Sequence, residues 1–145
     1  LTGAGTYGVS KHAVLALTEG LSRDLIARES KIGASVLCPG FVNTNINNSE
    51  RNRPGHLQSK TEPLIDEQAL EVMNSLLKQG KEPNEIAEIV FQAIKDNVFY
   101  ILPHPAWDDN LRTHFENILS RKELIPPSIN DMAEFFKPRE DGEKY

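Results

Sequence analysis

Tyr7 and Lys11 are the residues whose types and spacing suggest chemistry most directly. Residues four apart in a helix lie one above the other on the same face. A free tyrosine ionises only near about pH 10, so it is a poor base at neutral pH. An ammonium group about 4 Å away would favour the phenolate by about 4 kcal/mol at an effective dielectric of about 20. The pair is therefore a candidate general acid or base, with Lys11 assisting Tyr7.

The spacing alone has a simpler interpretation, in which an exposed tyrosine and lysine stack on a helix surface. Other residues offer little chemistry. The histidines show no ligand spacing, and we expect no metal site at any of His12, His56, His104 and His114. Cys38 lies in an apolar segment, where it is expected to be a small core residue rather than a nucleophile. Ser75 and Lys78 have the spacing of a serine acyl-enzyme motif without its companion motifs, and we expect a solvated face there.

The composition narrows the class of protein. The 145 residues include 39% apolar residues, which suffices for a core, and the net charge is −5. This acidic balance provides no basic stripe for phosphates, so nucleic-acid binding is disfavoured. The apolar runs are far shorter than the roughly 20 residues of a membrane-spanning helix, so no membrane span is expected. A single cysteine fits a reducing compartment, and we expect a cytoplasmic protein.

The elements that would position the pair begin with a helix predicted over 9–28. Its apolar face repeats every three or four residues, through Val14, Leu17, Leu21 and Leu25. Thr6 is expected to cap its start. The segment 33–38, "GASVLC", predicts a short buried strand that ends at Pro39, because proline cannot continue a β-ladder.

The remainder predicts alternating helices and strands around a long loop. Residues 40–63 are rich in polar residues and are expected to form a lid or substrate loop. The further predictions are helices over 66–79, 84–96 and 107–122, and a second strand within 97–105. Helices that alternate with apolar strands predict parallel pairing with right-handed crossovers. Two strands make a poor parallel sheet, so we expect the fold to be incomplete.

The order of these features resembles the short-chain dehydrogenase/reductase family. Tyr7, Ser10 and Lys11 in "YGVSK" are followed by a helix, a strand and then "CPGFVNTNI". The family has a Tyr-x-x-x-Lys helix, a strand that ends in Pro-Gly, and a threonine shortly after. The resemblance implies an α/β fold, the C-terminal part of a Rossmann-like doubly wound parallel sheet. Residues 1–122 would form that part of the domain, and 123–145 a loosely structured tail.

The resemblance also implies roles for individual residues. Tyr7 would exchange a proton with a carbonyl or alcohol oxygen, and Lys11 would favour its phenolate and hold the nicotinamide ribose hydroxyls. Both would therefore contact NAD or NADP. No metal is implied.

A second set of residues would contact the same cofactor from the loop after the strand. Pro39, Gly40 and Val42 match the segment that passes the nicotinamide, with the Val42 backbone suited to its carboxamide. Thr44 matches the hydroxyl residue near the carboxamide or the pyrophosphate. Physical logic agrees, because glycine allows close backbone approach and open α/β sheets bind ligands at the carboxyl ends of their strands.

Several family features would lie before Leu1, including the catalytic serine, an assisting asparagine and the glycine-rich phosphate loop. We therefore expect a C-terminal part of a longer domain, inactive by itself. The longer protein would be an NAD(P)-dependent oxidoreductase acting on a small carbonyl or alcohol substrate, and a homo-oligomer. One alternative is a non-catalytic fragment that only packs against a partner, through the helix that often builds a dimer interface in the family. Another is an epimerase or dehydratase on the same scaffold.

Overall fold

The computed structural model describes residues 5–57 and 67–122. The chain divides into two compact units, one made of Leu1–Pro39 and Ile89–Tyr145 and the other of Gly40–Glu88. The predicted tail, 123–145, and the end of the predicted loop lie outside the described residues, so the domain boundary at residue 122 stays a prediction. Each unit is described by itself.

The first unit begins with helix α1, Thr6–Ala27, which starts three residues before the predicted position. The prediction that Thr6 caps this helix is wrong. Gly5 occupies the N-cap position with φ of 50°, and no side chain caps the helix. Thr6 is already the first helical residue, so its hydroxyl cannot serve as the cap.

The sheet of the first unit contains two parallel strands, β1 at Val36–Leu37 and β2 at Tyr100–Ile101. Val36 is paired with Tyr100 and Leu37 with Ile101, which confirms the predicted parallel arrangement. Both strands are shorter than predicted. Proline supplies no N–H to a ladder, so Pro39 and Pro103 limit how far the pairing extends.

Burial in the first unit centres on the sheet. Among the described residues of this unit, the buried apolar side chains are Val36, Ala93, Ile101 and Pro103. Helix α1 has no buried side chain among the described residues. Its predicted apolar face forms, but Val14, Leu17 and Leu21 are 53%, 75% and 51% exposed. The apolar periodicity of the sequence correctly predicted that these residues share one face of the helix, but it does not determine whether that face is buried.

The second unit contains regular structure where a loop was predicted over 40–63. Short 3₁₀-helical segments occur there, over Ile46–Asn52, which is kinked at Asn48, and over Gly55–Leu57. Helix α2 spans Glu67–Lys78, and helix α3, Pro83–Lys95, starts in this unit and ends in the first. Where the structure describes side chains in the second unit, the buried apolar ones are Leu77 in α2 and Ile86 in α3. Both helices agree with their predicted ranges to within one residue at each end.

The first unit continues after β2 with a 3₁₀-turn, Pro105–Trp107, and helix α4, Asp108–Leu119. This helix was predicted over 107–122. The acidic side chains of Asp108 and Asp109 lie in its first turn, where they favour the positive end of the helix dipole. Within the described ranges, no helix is long and apolar enough to cross a membrane.

Three helices end in the same arrangement, with a residue other than glycine in the left-handed region. These residues are Glu29 (φ 50°), Asn97 (φ 55°) and Arg121 (φ 55°). After α1, the Glu29 N–H donates to the Ile26 carbonyl and the Ser30 N–H to the Leu25 carbonyl, both at 3.0 Å. This is the Schellman pattern, and α3 and α4 repeat it. The helices therefore stop because their last carbonyls are satisfied by the chain that follows.

Candidate active site

Tyr7 and Lys11 lie on one face of α1, as their spacing predicted. The Lys11 Nζ atom lies over the Tyr7 ring, 5.2 Å from the ring centroid. A cation over an aromatic face is attracted by the ring quadrupole, by about 0.5–1 kcal/mol at an exposed site. Tyr7 is 48% exposed, so the described residues leave its side chain open to a ligand. The structure brings the two candidate groups together, while their catalytic roles stay predictions.

The neighbouring polar side chains on this helix bind their own backbone. The Ser10 hydroxyl donates to the Tyr7 carbonyl oxygen at 2.7 Å. The His12 Nδ1 atom lies 2.9 Å from the Gly8 carbonyl oxygen. Both contacts point back along the helix, as is common for such side chains in helices. Lys11 is therefore the polar partner that α1 provides for the Tyr7 ring.

The other predicted cofactor residues follow β1. Pro39 is exposed and is the last residue of the first unit before the chain enters the second. Gly40, Val42 and Thr44 belong to the second unit. Gly40 and Val42 are half-buried, and Thr44 is exposed. The structure thus places Gly40, Val42 and Thr44 on one short segment, and Tyr7 and Lys11 on one helix face.

The backbone around Val42 is held by an isolated parallel bridge to Lys81. The Lys81 N–H donates to the Phe41 carbonyl oxygen at 3.1 Å, and the Asn43 N–H donates to the Lys81 carbonyl oxygen at 2.9 Å. Val42 lies between the two residues that bond to Lys81, so its own N–H and C=O point away from Lys81. No backbone hydrogen bond to either group of Val42 occurs within the described residues. One donor and one acceptor side by side can pair with one N–H and the carbonyl oxygen of a primary carboxamide, the group that a nicotinamide carries.

Sequence reasoning missed the turn that holds this segment. A Cβ atom on Gly80 would lie 2.4 Å from the Phe41 carbonyl oxygen and 2.8 Å from the Val42 nitrogen. The Asn43 side-chain amide donates to the Glu82 carboxylate at 2.8 Å. In the sequence, "QGKEPNE" signals only the end of one helix and the start of the next. The contact with the loop after β1 is a tertiary feature.

A cavity of about 280 Å³ lies at the opposite end of α1 in the first unit. It is lined by the last turns of that helix, the segment 30–34, Asn97 and Phe99. None of the predicted site residues contributes to it. Ser22, in its wall, is 15 residues from Tyr7, or about 22 Å along the helix. Among the described residues, no group of three or more His, Cys, Asp or Glu side chains is arranged to hold a metal.

Comparisons with known proteins agree with the motifs. No family model matches the chain. It is 32% identical to the CLA biosynthesis dehydrogenase/reductase of Lactiplantibacillus plantarum, over 81% of this chain and 43% of that protein. It is 31% identical to the C alpha-dehydrogenase of a Sphingobium species, over 80% of this chain and 37% of that protein. The chain therefore spans less than half the length of these curated relatives.

A solved structure extends the similarity to the fold. The crystal structure of a short-chain dehydrogenase/reductase from Burkholderia phymatum, in complex with NAD, matches with a TM-score of 0.77 and 37% identity. The match covers 86% of this chain and 46% of that one. The class of fold is thus α/β and Rossmann-like, with an incomplete parallel sheet. The resemblance inferred from the motifs is confirmed, since the chain is similar in sequence and in fold to part of a short-chain dehydrogenase/reductase.

Proposed function

We propose that the whole protein containing this chain is an NAD(P)-dependent oxidoreductase for a small carbonyl or alcohol substrate. The observation that carries the proposal is the Tyr7 and Lys11 pair, whose ring centroid and ammonium lie 5.2 Å apart on an accessible helix face. The similarity to dehydrogenases, and to a relative solved in complex with NAD, supports the same reaction class. A homo-oligomer is part of this proposal by family resemblance.

In the proposed mechanism, a nicotinamide dinucleotide would, when bound, supply or accept the hydride. Tyr7 Oη moves the proton: it accepts the hydroxyl proton of an alcohol, or donates its own proton to a carbonyl oxygen. The Lys11 ammonium favours the negatively charged phenolate that the first direction requires. It would also donate hydrogen bonds to the ribose hydroxyls.

The segment after β1 would contribute binding rather than proton transfer. The N–H and C=O of Val42 would pair with the nicotinamide carboxamide. Half-buried Gly40 would permit close approach of the backbone, and the hydroxyl of exposed Thr44 would contact the carboxamide or the pyrophosphate. Pro39 would end the strand at the edge where such ligands bind.

The test of this function uses the whole protein, with NADH and NADPH binding measured first by titration. Tyr7→Phe should keep cofactor binding and lower kcat by about 10²–10⁴-fold, the usual contribution of a general acid or base. Tyr100→Phe is the matched control, because it removes the same hydroxyl from a tyrosine outside the site. It should lower stability through the lost bond to Glu19, but it should retain turnover under conditions in which it stays folded. The proposal would be wrong if the whole protein bound neither dinucleotide, or if Tyr7→Phe kept full turnover.

The alternative, a non-catalytic fragment that only packs against a partner, concerns the 145-residue chain by itself. The exposed apolar residues of α1 are the observation that favours it, because such a face suits helix packing. Titration of the isolated chain with NADH and NADPH separates the two possibilities. Saturable binding would contradict the alternative, and its absence together with binding by the whole protein would support it.

A further inference from the structure

The turn between α2 and α3 packs against and hydrogen-bonds to the backbone of the segment after β1. The turn contributes three consecutive residues, 80–82. They contact three consecutive residues of the segment, 41–43. All of these residues lie in the second unit. We call the residues 80–82 the clamp. The contacts join parts of the chain that are 39 residues apart, as in the bond from Asn43 to Glu82.

Gly80 is the part of the clamp that tolerates no side chain. A Cβ atom there would lie 2.4 Å from the Phe41 oxygen, 2.5 Å from the Phe41 carbonyl carbon and 2.8 Å from the Val42 nitrogen. A Cβ atom essentially never lies within 3.0 Å of a heavy atom outside its own residue and its chain neighbours, and the atoms met here belong to the backbone. An alanine at position 80 must therefore displace the Phe41–Val42 peptide or the turn.

The rest of the clamp fixes the orientation of that peptide. The two bridge bonds of Lys81 are made to Phe41 and Asn43, so they set which way the groups of Val42 point. The Glu82 carboxylate accepts from the Asn43 side chain, and the Glu82 N–H donates to the Glu85 carboxylate at 2.8 Å. The last contact ties the clamp to the first turn of α3, where Glu85 also favours the helix dipole.

We propose that the clamp, and Gly80 above all, positions the Val42 backbone for the nicotinamide half of the cofactor. The inference rests on the proposed function, because it assigns a positioning role to residues that do not touch the cofactor. It predicts selectivity: disturbing the clamp should weaken ligands that carry a nicotinamide and spare those that lack one. A general loss of structure would weaken both kinds equally.

The experiment measures dissociation constants of NADH and of ADP-ribose, which lacks the nicotinamide, in the whole protein. Gly80→Ala should weaken NADH by about tenfold, as expected when a hydrogen bond is lost, and change ADP-ribose binding by less than about twofold. Gly20→Ala is the matched control. A Cβ atom at Gly20 meets nothing within 4 Å, so both ligands should bind as before.

A second pair of variants keeps the test informative if Gly80→Ala does not fold. Glu82→Ala removes the acceptor for Asn43, whereas Glu82→Gln keeps an amide oxygen in its place. Glu82→Ala should therefore weaken NADH selectively, and Glu82→Gln should restore most of the binding. Hydrogen exchange at the backbone N–H of Asn43 should be faster in Gly80→Ala and Glu82→Ala, because that N–H donates to the Lys81 carbonyl oxygen across the bridge.

Each outcome is decisive. Equal weakening of NADH and ADP-ribose, or unchanged NADH binding in both Gly80→Ala and Glu82→Ala, would overturn the positioning role while the proposed function stands. A wild-type protein that binds neither NADH nor NADPH would overturn the proposed function and this role with it. In that case the exchange measurement would still report whether the clamp holds the segment.

Discussion

The hydroxyl of Tyr100 donates a 2.8 Å hydrogen bond to the carboxylate of Glu19, linking residues that are 81 positions apart. The bond joins α1, which carries Tyr7 and Lys11, to strand β2. Arg23 adds a 3.0 Å ion pair to the same carboxylate from the next turn of the helix. The Tyr100 ring also packs edge-on against Phe99, with ring centroids 4.6 Å apart. Because α1 has no buried side chain among the described residues, this polar contact is a specific link between the helix and the sheet.

The link should make stability depend on pH. The hydrogen bond from Tyr100, and secondly that from Arg23, hold the pKa of Glu19 below its ordinary value of 4.5. A carboxylate with a lowered pKa stabilises the folded state above that value, and the contribution disappears as pH falls through the lowered pKa. Tyr100→Phe should therefore reduce the free energy of unfolding most at neutral pH, and the difference from wild type should shrink below about pH 4.5.

Carboxyl titration by NMR checks this directly. The pKa of Glu19 should rise toward 4.5 in Tyr100→Phe and stay low in Tyr7→Phe, which removes a hydroxyl elsewhere on the protein. At the alkaline end, the hydrogen bond to Glu19 raises the pKa of Tyr100 above 10.0, so its contribution should be lost only as pH rises above that value. An unchanged Glu19 titration in Tyr100→Phe would contradict the link.

Lys11 should matter through its position over Tyr7 rather than as a surface cation. Lys11→Met keeps the length of the side chain and removes its charge, so we expect kcat/KM to fall by about a hundredfold or more. Lys95 offers a matched control, since its Nζ lies 5.7 Å from the Phe91 ring centroid in a similar pair outside the site. Lys95→Met should leave turnover unchanged. Steady-state kinetics on the whole protein decide it, and equal losses in both variants would remove Lys11 from the mechanism.

The helix ends predict a stabilising substitution. Glu29 adopts φ of 50°, which costs an ordinary side chain about 1–2 kcal/mol and costs glycine little. Glu29→Gly should therefore raise the free energy of unfolding by about 1 kcal/mol. Asn97→Gly should change it less, because asparagine tolerates the left-handed region. In the control, Ala16→Gly within α1 should lower the free energy of unfolding by about 1 kcal/mol. Denaturant titration measures all three variants. A Glu29→Gly protein less stable than wild type would refute the argument.

Cys38 should react slowly with thiol reagents. Its side chain is half-buried, and burial raises the pKa of the thiol above 9.0, so less of the reactive thiolate is present near neutral pH. Ellman's reagent should modify the native protein more slowly than it modifies free cysteine, and denaturant should abolish the difference. Reaction of the native protein at the rate of free cysteine would show an activated thiol instead.

Local spacing in the sequence determined the features that depend on neighbouring residues. Tyr7 and Lys11 share a face because any helix stacks residues four apart, and the ranges of α2 and α3 follow from apolar periodicity. The parallel pairing of β1 and β2 followed from the alternation of helices and strands. The lengths of the strands did not, since they depend on which N–H and C=O groups find partners across the sheet.

Only the tertiary structure decided the contacts between distant positions. Nothing near Gly80 in the sequence indicates that its missing Cβ makes room for the Phe41 carbonyl, or that Tyr100 finds Glu19. Each contact depends on the three-dimensional path of the intervening chain, and the short-range rules of capping and periodicity carry no information about it. The residues that could do chemistry were therefore readable from the sequence, whereas the clamp that holds the backbone after β1 came from the fold.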